Sequence, residues 1–86
     1  MSGATNLSGR ALIVGSGAAN PGAEDLIRQI LAPFQHRVID VQRIDLGGRT
    51  IIGVEIALDL AHAGAISRDL SAIGVGSGLD IAMEIL

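Results

Sequence analysis

The 86-residue sequence has no cysteine, tryptophan or tyrosine, and its single aromatic residue of that class is Phe34. Without thiols there is neither a disulfide framework nor a thiolate metal site, a composition that fits a cytoplasmic protein. One Phe supplies no platform on which nucleic-acid bases can stack. Positive charge is scarce as well: six basic residues stand scattered against nine acidic ones, for a formal charge of -3. Such a chain has no electrostatic footprint for a polyanion, so nucleic acid is not an expected partner. Long apolar runs are also missing. None is long enough to span a bilayer, and Met1 to Arg10 lack the apolar centre of a secretion signal, so no membrane is expected either. Residues 1–10 read as a disordered lead-in to one domain over residues 11–86.

What is present is aliphatic. Residues of the apolar set make up 49% of the chain, enough for a single core of Ile, Leu, Val and Ala but not for a second, catalytic domain. Ala11 to Gly15 is a continuous apolar run and reads as a central strand. From Ala23 to Phe34 the residues Leu26, Ile27, Ile30, Leu31 and Phe34 fall on one helical face. Asn20 is placed as its N-cap, Pro21 suits the first helical position, and Pro33 sets its end.

His36 to Leu46 is rich in β-branched residues, with an apolar phase that changes between Val41 and Ile44; a bulge near Gln42 and Arg43 reconciles the halves. Gly47-Gly48 then makes a tight hairpin turn into Arg49 to Leu58, where Ile52, Val54, Ile56 and Leu58 alternate onto one face. A second helix is predicted from about Leu60 to Ile73, ended by Gly74, with Gly76-Ser77-Gly78 as a flexible turn into a last strand from Leu79 to Leu86. The order is strand, helix, strand, strand, helix, strand. It predicts an α+β, ferredoxin-like βαββαβ sandwich, a four-stranded antiparallel sheet with two helices on one face.

The chemistry-bearing motifs are few. Gly17-Ala18-Ala19-Asn20-Pro21-Gly22 lies between the first strand and the first helix, where unpaired backbone N–H groups and the positive end of the helix dipole can hold a carboxylate or phosphate. Gly15-Ser16-Gly17-Ala18-Ala19-Asn20, followed by Asp40 on the next strand, is nearly a dinucleotide-binding fingerprint, with Asn in place of the third Gly. The hairpin turn at Gly47-Gly48 argues against that reading, since a dinucleotide fold continues with parallel units. Capping of the helix is the other explanation of the same residues. There is no phosphate-binding Gly-Lys loop and no nucleophile elbow around Ser16. His36 and His62 have no second ligand at metal-binding spacing and read as surface or cap histidines, so neither metal nor cofactor is expected. Asp40, Asp45 and Glu55 alternate as on a solvated sheet face, balanced by Arg37, Arg43 and Arg49.

The loop from Gly17 to Gly22, the helix after it, the strand Val38-Ile39-Asp40-Val41-Gln42 and the Gly47-Gly48 hairpin together resemble an ACT domain, from about Arg10 to the C-terminus. The Pro-Gly pair, the Ile-Asp-Val-Gln strand and the hairpin are most similar to the N-terminal regulatory part of bacterial phosphoserine phosphatases. The resemblance implies a regulatory module that binds an amino acid, with serine the first choice, pairs as a homodimer and is joined to a downstream phosphatase domain. It implies an effector carboxylate on Gly17, Ala18, Ala19, Asn20 and Gly22, and an ammonium group near Asp40. Related phosphatases carry an Asp and a basic residue where Ala19 and Asn20 stand here. The Asp-x-Asp nucleophile of those enzymes is absent, so the chain is not expected to be an enzyme by itself. A structural dimerisation module without ligand is the alternative. The sequence stops at the end of its last strand, as a domain cut from a longer protein would.

Overall fold

A computed structural model of the chain describes residues 7–86; the first part of the expected lead-in lies outside them. The elements are β1 (Gly9–Ala18), α1 (Ala23–Leu31), β2 (His36–Leu46), β3 (Arg49–Leu58), a 3-10 turn (Leu60–His62), α2 (Ala63–Ser77) and β4 (Leu79–Ile85). The sheet order is β2-β3-β1-β4, and β1 runs antiparallel to both β3 and β4. This is the ferredoxin-like sandwich that the element order predicts. It removes the dinucleotide-binding reading, which needs parallel strands.

Alternation divides each strand between a covered and an open face. Ala11 and Ile13 of β1, Ile52, Val54, Ile56 and Leu58 of β3, and Leu79 and Ile81 of β4 are buried against Ile27 and Leu31 of α1 and Ile66 and Leu70 of α2. Each fully buried Ile or Leu contributes about 1.5–3 kcal/mol by leaving water. Between β2 and β3, Gly47 and Gly48 have φ of 60° and 74°, the left-handed values that a two-residue hairpin turn matched to strand twist requires.

Several local expectations change. β1 is longer than the apolar run at both ends, so Gly17 and Ala18 are strand and not turn: Gly17 pairs with Thr50 on one side and Leu79 on the other. The bulge in β2 is at Ile39, between Val38 and Asp40. It keeps Val38 and Val41 both against the core, then leaves Ile44 and Leu46 outside, 55% and 70% exposed. A bulge at Gln42 and Arg43, as the apolar phase predicts, would keep Ile44 and Leu46 against the core. At this end of β2 the residues on the covered side are instead Arg43 and Asp45. Helix α2 runs through Gly74, Val75, Gly76 and Ser77 and stops at Gly78, whose φ is 76°. Gly74 is there for close approach: a Cβ would come 2.7 Å from the Leu79 carbonyl oxygen. Helix α1 ends at Leu31; Ala32 still has helical dihedrals and donates to the Arg28 carbonyl, and Pro33, without an N–H, cannot carry the ladder further.

Candidate functional site

The β1–α1 loop closes on the end of the β2–β3 hairpin. Ala19 N–H donates to the Gly48 carbonyl at 2.9 Å, prolonging the β1–β3 ladder past its last pair. Asn20 N–H donates to Thr50 Oγ1 at 2.9 Å, and Gly22 N–H donates to Asn20 Oδ1 at 2.9 Å. Asn20 therefore does not cap the helix. Its side chain folds back on a residue two further along, an Asx turn, and the N-cap is Gly22, which offers no side chain. The first helical bond runs from Leu26 N–H to the Gly22 carbonyl.

Arg43 ties this loop down. Its Nη2 donates to the Asn20 carbonyl at 2.8 Å and its Nη1 to the Pro21 carbonyl at 3.3 Å. The same guanidinium grips Asp45 through Nε at 3.0 Å and Nη2 at 3.1 Å, the two-pronged geometry that planar Arg allows. Thr50 joins the set: its hydroxyl donates to Asp45 Oδ1 at 2.9 Å while accepting from Asn20 N–H. Thr50 is fully buried. Hydrogen bonds from Arg43, then from Thr50, hold the Asp45 carboxyl below the ordinary carboxylate range, and the bond to Asp45 raises Arg43. The first turn of α1 adds Glu24 and Asp25, which complement the helix dipole and oppose an incoming anion.

The expected ligand residues thus divide. Gly17, Ala18, Ala19, Asn20 and Gly22 are contiguous at one end of the sheet, but the N–H groups of Ala19, Asn20 and Gly22 already have acceptors inside the protein. Asp40 is not brought to them. It pairs with Glu55, which pairs with Leu12, whereas the loop leaves β1 beyond Ala18. Asp40 lies on the open face, within a depression of about 220 Å³ whose other walls are Leu12, Val14, Gln42, Gly53 and Glu55. The sequence pattern does not single out Arg43, Asp45 and Thr50 as site residues and predicts Arg43 and Asp45 on the solvated face. A signal was present: Thr50 continues the phase of Ile52, Val54 and Ile56, so its hydroxyl had to be buried and to find partners.

The histidines lie at the other end of the molecule. His36 Nδ1–H donates to the Phe34 carbonyl at 2.8 Å, and the His62 ring packs at 5.8 Å from Phe34. Among the described residues no group of three or more His, Asp or Glu is placed to hold a metal, and no helix is long and apolar enough to cross a membrane. A further recess, of about 360 Å³, lies between the end of α2 and β4, around Gly74, Leu79 and Asp80.

No family model matches the chain. Phosphoserine phosphatase SerB2 of Mycobacterium tuberculosis is 32% identical over 75 residues, covering 85% of this chain and 18% of that protein. The chain therefore spans less than a fifth of the length of the curated relative that it matches. An ACT domain protein from Streptococcus pneumoniae superposes with a TM-score of 0.78 at 14% identity, covering 90% of this chain and 89% of the other. The regulatory subunit of aspartate kinase from Thermus thermophilus gives 0.68 at 19% identity, with 94% and 53% covered. A formyltetrahydrofolate deformylase from Burkholderia mallei gives 0.78 at 13%, with 88% and 28% covered. At these identities the common property is the fold.

Proposed function

The chain has the fold of an ACT domain, and on that footing we propose that it is the regulatory, amino-acid-binding module of an amino-acid biosynthesis enzyme of the phosphoserine phosphatase kind, working in the cytoplasm. The observation that carries this reading is the 32% identity to a phosphoserine phosphatase over 75 residues. On this reading the chain performs no catalysis, a phosphatase domain belongs to the same enzyme, and serine is the effector.

The effector site is proposed at the loop of residues 17–22, with Arg43 and Asp45 as the groups that read the ligand. A zwitterionic amino acid carries one carboxylate and one ammonium group, and Arg43 with Asp45 presents the complementary pair beside the loop. The Asp45 side chain is 59% exposed, so it can swing away. The ligand carboxylate then takes its place on Arg43, and the ammonium group meets Asp45 and the loop carbonyls. Gly17, Ala18, Ala19, Asn20 and Gly22 form the wall, and Asp40 takes no part. Binding regulates the enzyme by favouring one arrangement of paired domains, which requires a difference in affinity between two states.

Titration with serine and other amino acids, followed by amide and arginine Nε chemical shifts, tests this. The expected result is saturable shifts at residues 17–22, 43, 45 and 50. No shift there at millimolar concentration of any of them refutes it. A ligand-free dimerisation module is the second reading, favoured by the internal acceptors already found for the loop N–H groups; it predicts a dimer that amino acids leave unchanged.

A further inference from the structure

Among the described residues nothing covers the face of the sheet away from the helices. On β3 its residues are Arg49, Ile51, Gly53 and Glu55, alternating with the buried Thr50, Ile52, Val54 and Ile56. Ile51 is 41% exposed, and Val14 and Ile44 on the same face are 43% and 55% exposed. At Gly53 this face has a notch, where a Cβ would meet nothing nearer than Leu12 Cδ1 at 4.0 Å. Arg49 has no ion-pair partner among the described residues, and Glu55 has Arg10 at 3.2 Å.

These four residues are complementary to their own reverse. From Arg49 to Glu55 they read base, large apolar, no side chain, acid. Laid antiparallel on a second copy, Arg49 lies over the partner's Glu55 and Ile51 over the partner's Gly53, and a two-fold axis beside Ile52 makes both contacts twice. Packed sheets stand about 10 Å apart, a gap that Ile, Arg and Glu side chains bridge. The other two-fold axis in the plane of the sheet, along the strands, sets Glu84 of β4 over the partner's Asp40, like charge on like. Charge therefore selects between the arrangements.

We propose that two copies of this chain pair through their open sheet faces, with Ile51 seated in the notch at the partner's Gly53 and Arg49 paired with the partner's Glu55. Glu55 then lies between Arg10 of its own chain and the partner's Arg49. The pairing rests on the dimerisation that both readings above invoke and gives it a surface and residues; it stands whether or not an amino acid binds.

Sedimentation equilibrium of the whole chain from micromolar to millimolar concentration tests it, with circular dichroism as the check on folding. The wild type should dimerise. Arg49→Glu and Glu55→Arg each place like charges together twice in a homodimer, so each should weaken association at least about tenfold. Mixed in equal amounts, the two variants restore both pairs and should form a mixed dimer; the doubly reversed chain should dimerise like the wild type. Gly53→Leu fills the notch and should weaken the dimer without changing charge. A wild type that stays monomeric, a dimer indifferent to the reversals, or a mixture of the two variants that stays monomeric overturns the proposal.

Discussion

On the helix-covered face of the sheet Ile13, Ile52, Val54 and Ile56 are at most 1% exposed, whereas on the opposite face Val14, Ile51 and Ile44 remain 41–55% exposed. Both sets are aliphatic and both lie on strands of one sheet. The difference is the layer above them: α1 and α2 cover one side, and nothing in the described chain covers the other. Hydrophobicity along a strand therefore announces burial here only where a helix follows to supply it. On the open side it marks surface left for another molecule.

Substitutions that separate the faces should differ most. Ile56→Ala opens a cavity in the core and should destabilise by about 2–5 kcal/mol in urea unfolding, while Ile44→Ala on the open face should change stability by less than about 0.5 kcal/mol. Equal effects would mean that the open face is packed in the isolated chain. The glycines sharpen the contrast. Gly17→Ala would bring a Cβ to 2.4 Å from the Gly78 carbonyl oxygen, and such overpacking should cost about 1–3 kcal/mol. Gly53→Ala on the open face should be close to neutral in the same urea unfolding at a concentration where the chain is monomeric.

Thr50→Val should come next, at about 1–2 kcal/mol, because it leaves the Asn20 N–H without its acceptor; Thr50→Ser keeps the hydroxyl and should recover most of the loss. The smallest effect is the pH dependence of the Arg43–Asp45 pair. Asp45 is lowered in the folded state, so its contribution is complete above the ordinary carboxylate range and is lost as the pH falls below that range and Asp45 takes up a proton. Thermal melts of the wild type and Asp45→Asn should therefore converge in acid and differ at neutral pH. Parallel curves at every pH would show that the pair contributes nothing.

The elements were legible because their signals are local. Period two in Ile52, Val54, Ile56 and Leu58, the helical spacing of Ile27, Ile30 and Leu31, and Gly47-Gly48 between two strands depend on a few neighbours each. The misjudged details depend on what lies across space. Gly74 reads as a stop because glycine ends helices, yet it serves close packing on β4, and Gly78 is the stop. The phase change in β2 reads as a bulge at Gln42 and Arg43 because apolar residues are expected to face inward. The bulge is at Ile39, and the later residues turn a salt bridge toward the loop.

The same division holds for the candidate site. A loop rich in Gly and Asn before a helix announces exposed N–H groups, but register decides whether those groups stay open. Here Gly48, Thr50 and Asn20 itself supply acceptors, and Arg43 is brought to the loop from a residue 23 positions away.

By itself the sequence determined the order of strands and helices, the hairpin turn and an aliphatic core, because steric preference and hydrophobic periodicity act over a few residues. Tertiary structure alone decided which face of the sheet stays bare, that Asp40 stands apart from the loop, and that Arg43, Asp45 and Thr50 close it. Those outcomes follow from strand pairing, which sets side chains distant in sequence within hydrogen-bond reach; the local phase announces that Thr50 is buried but not which partners it meets.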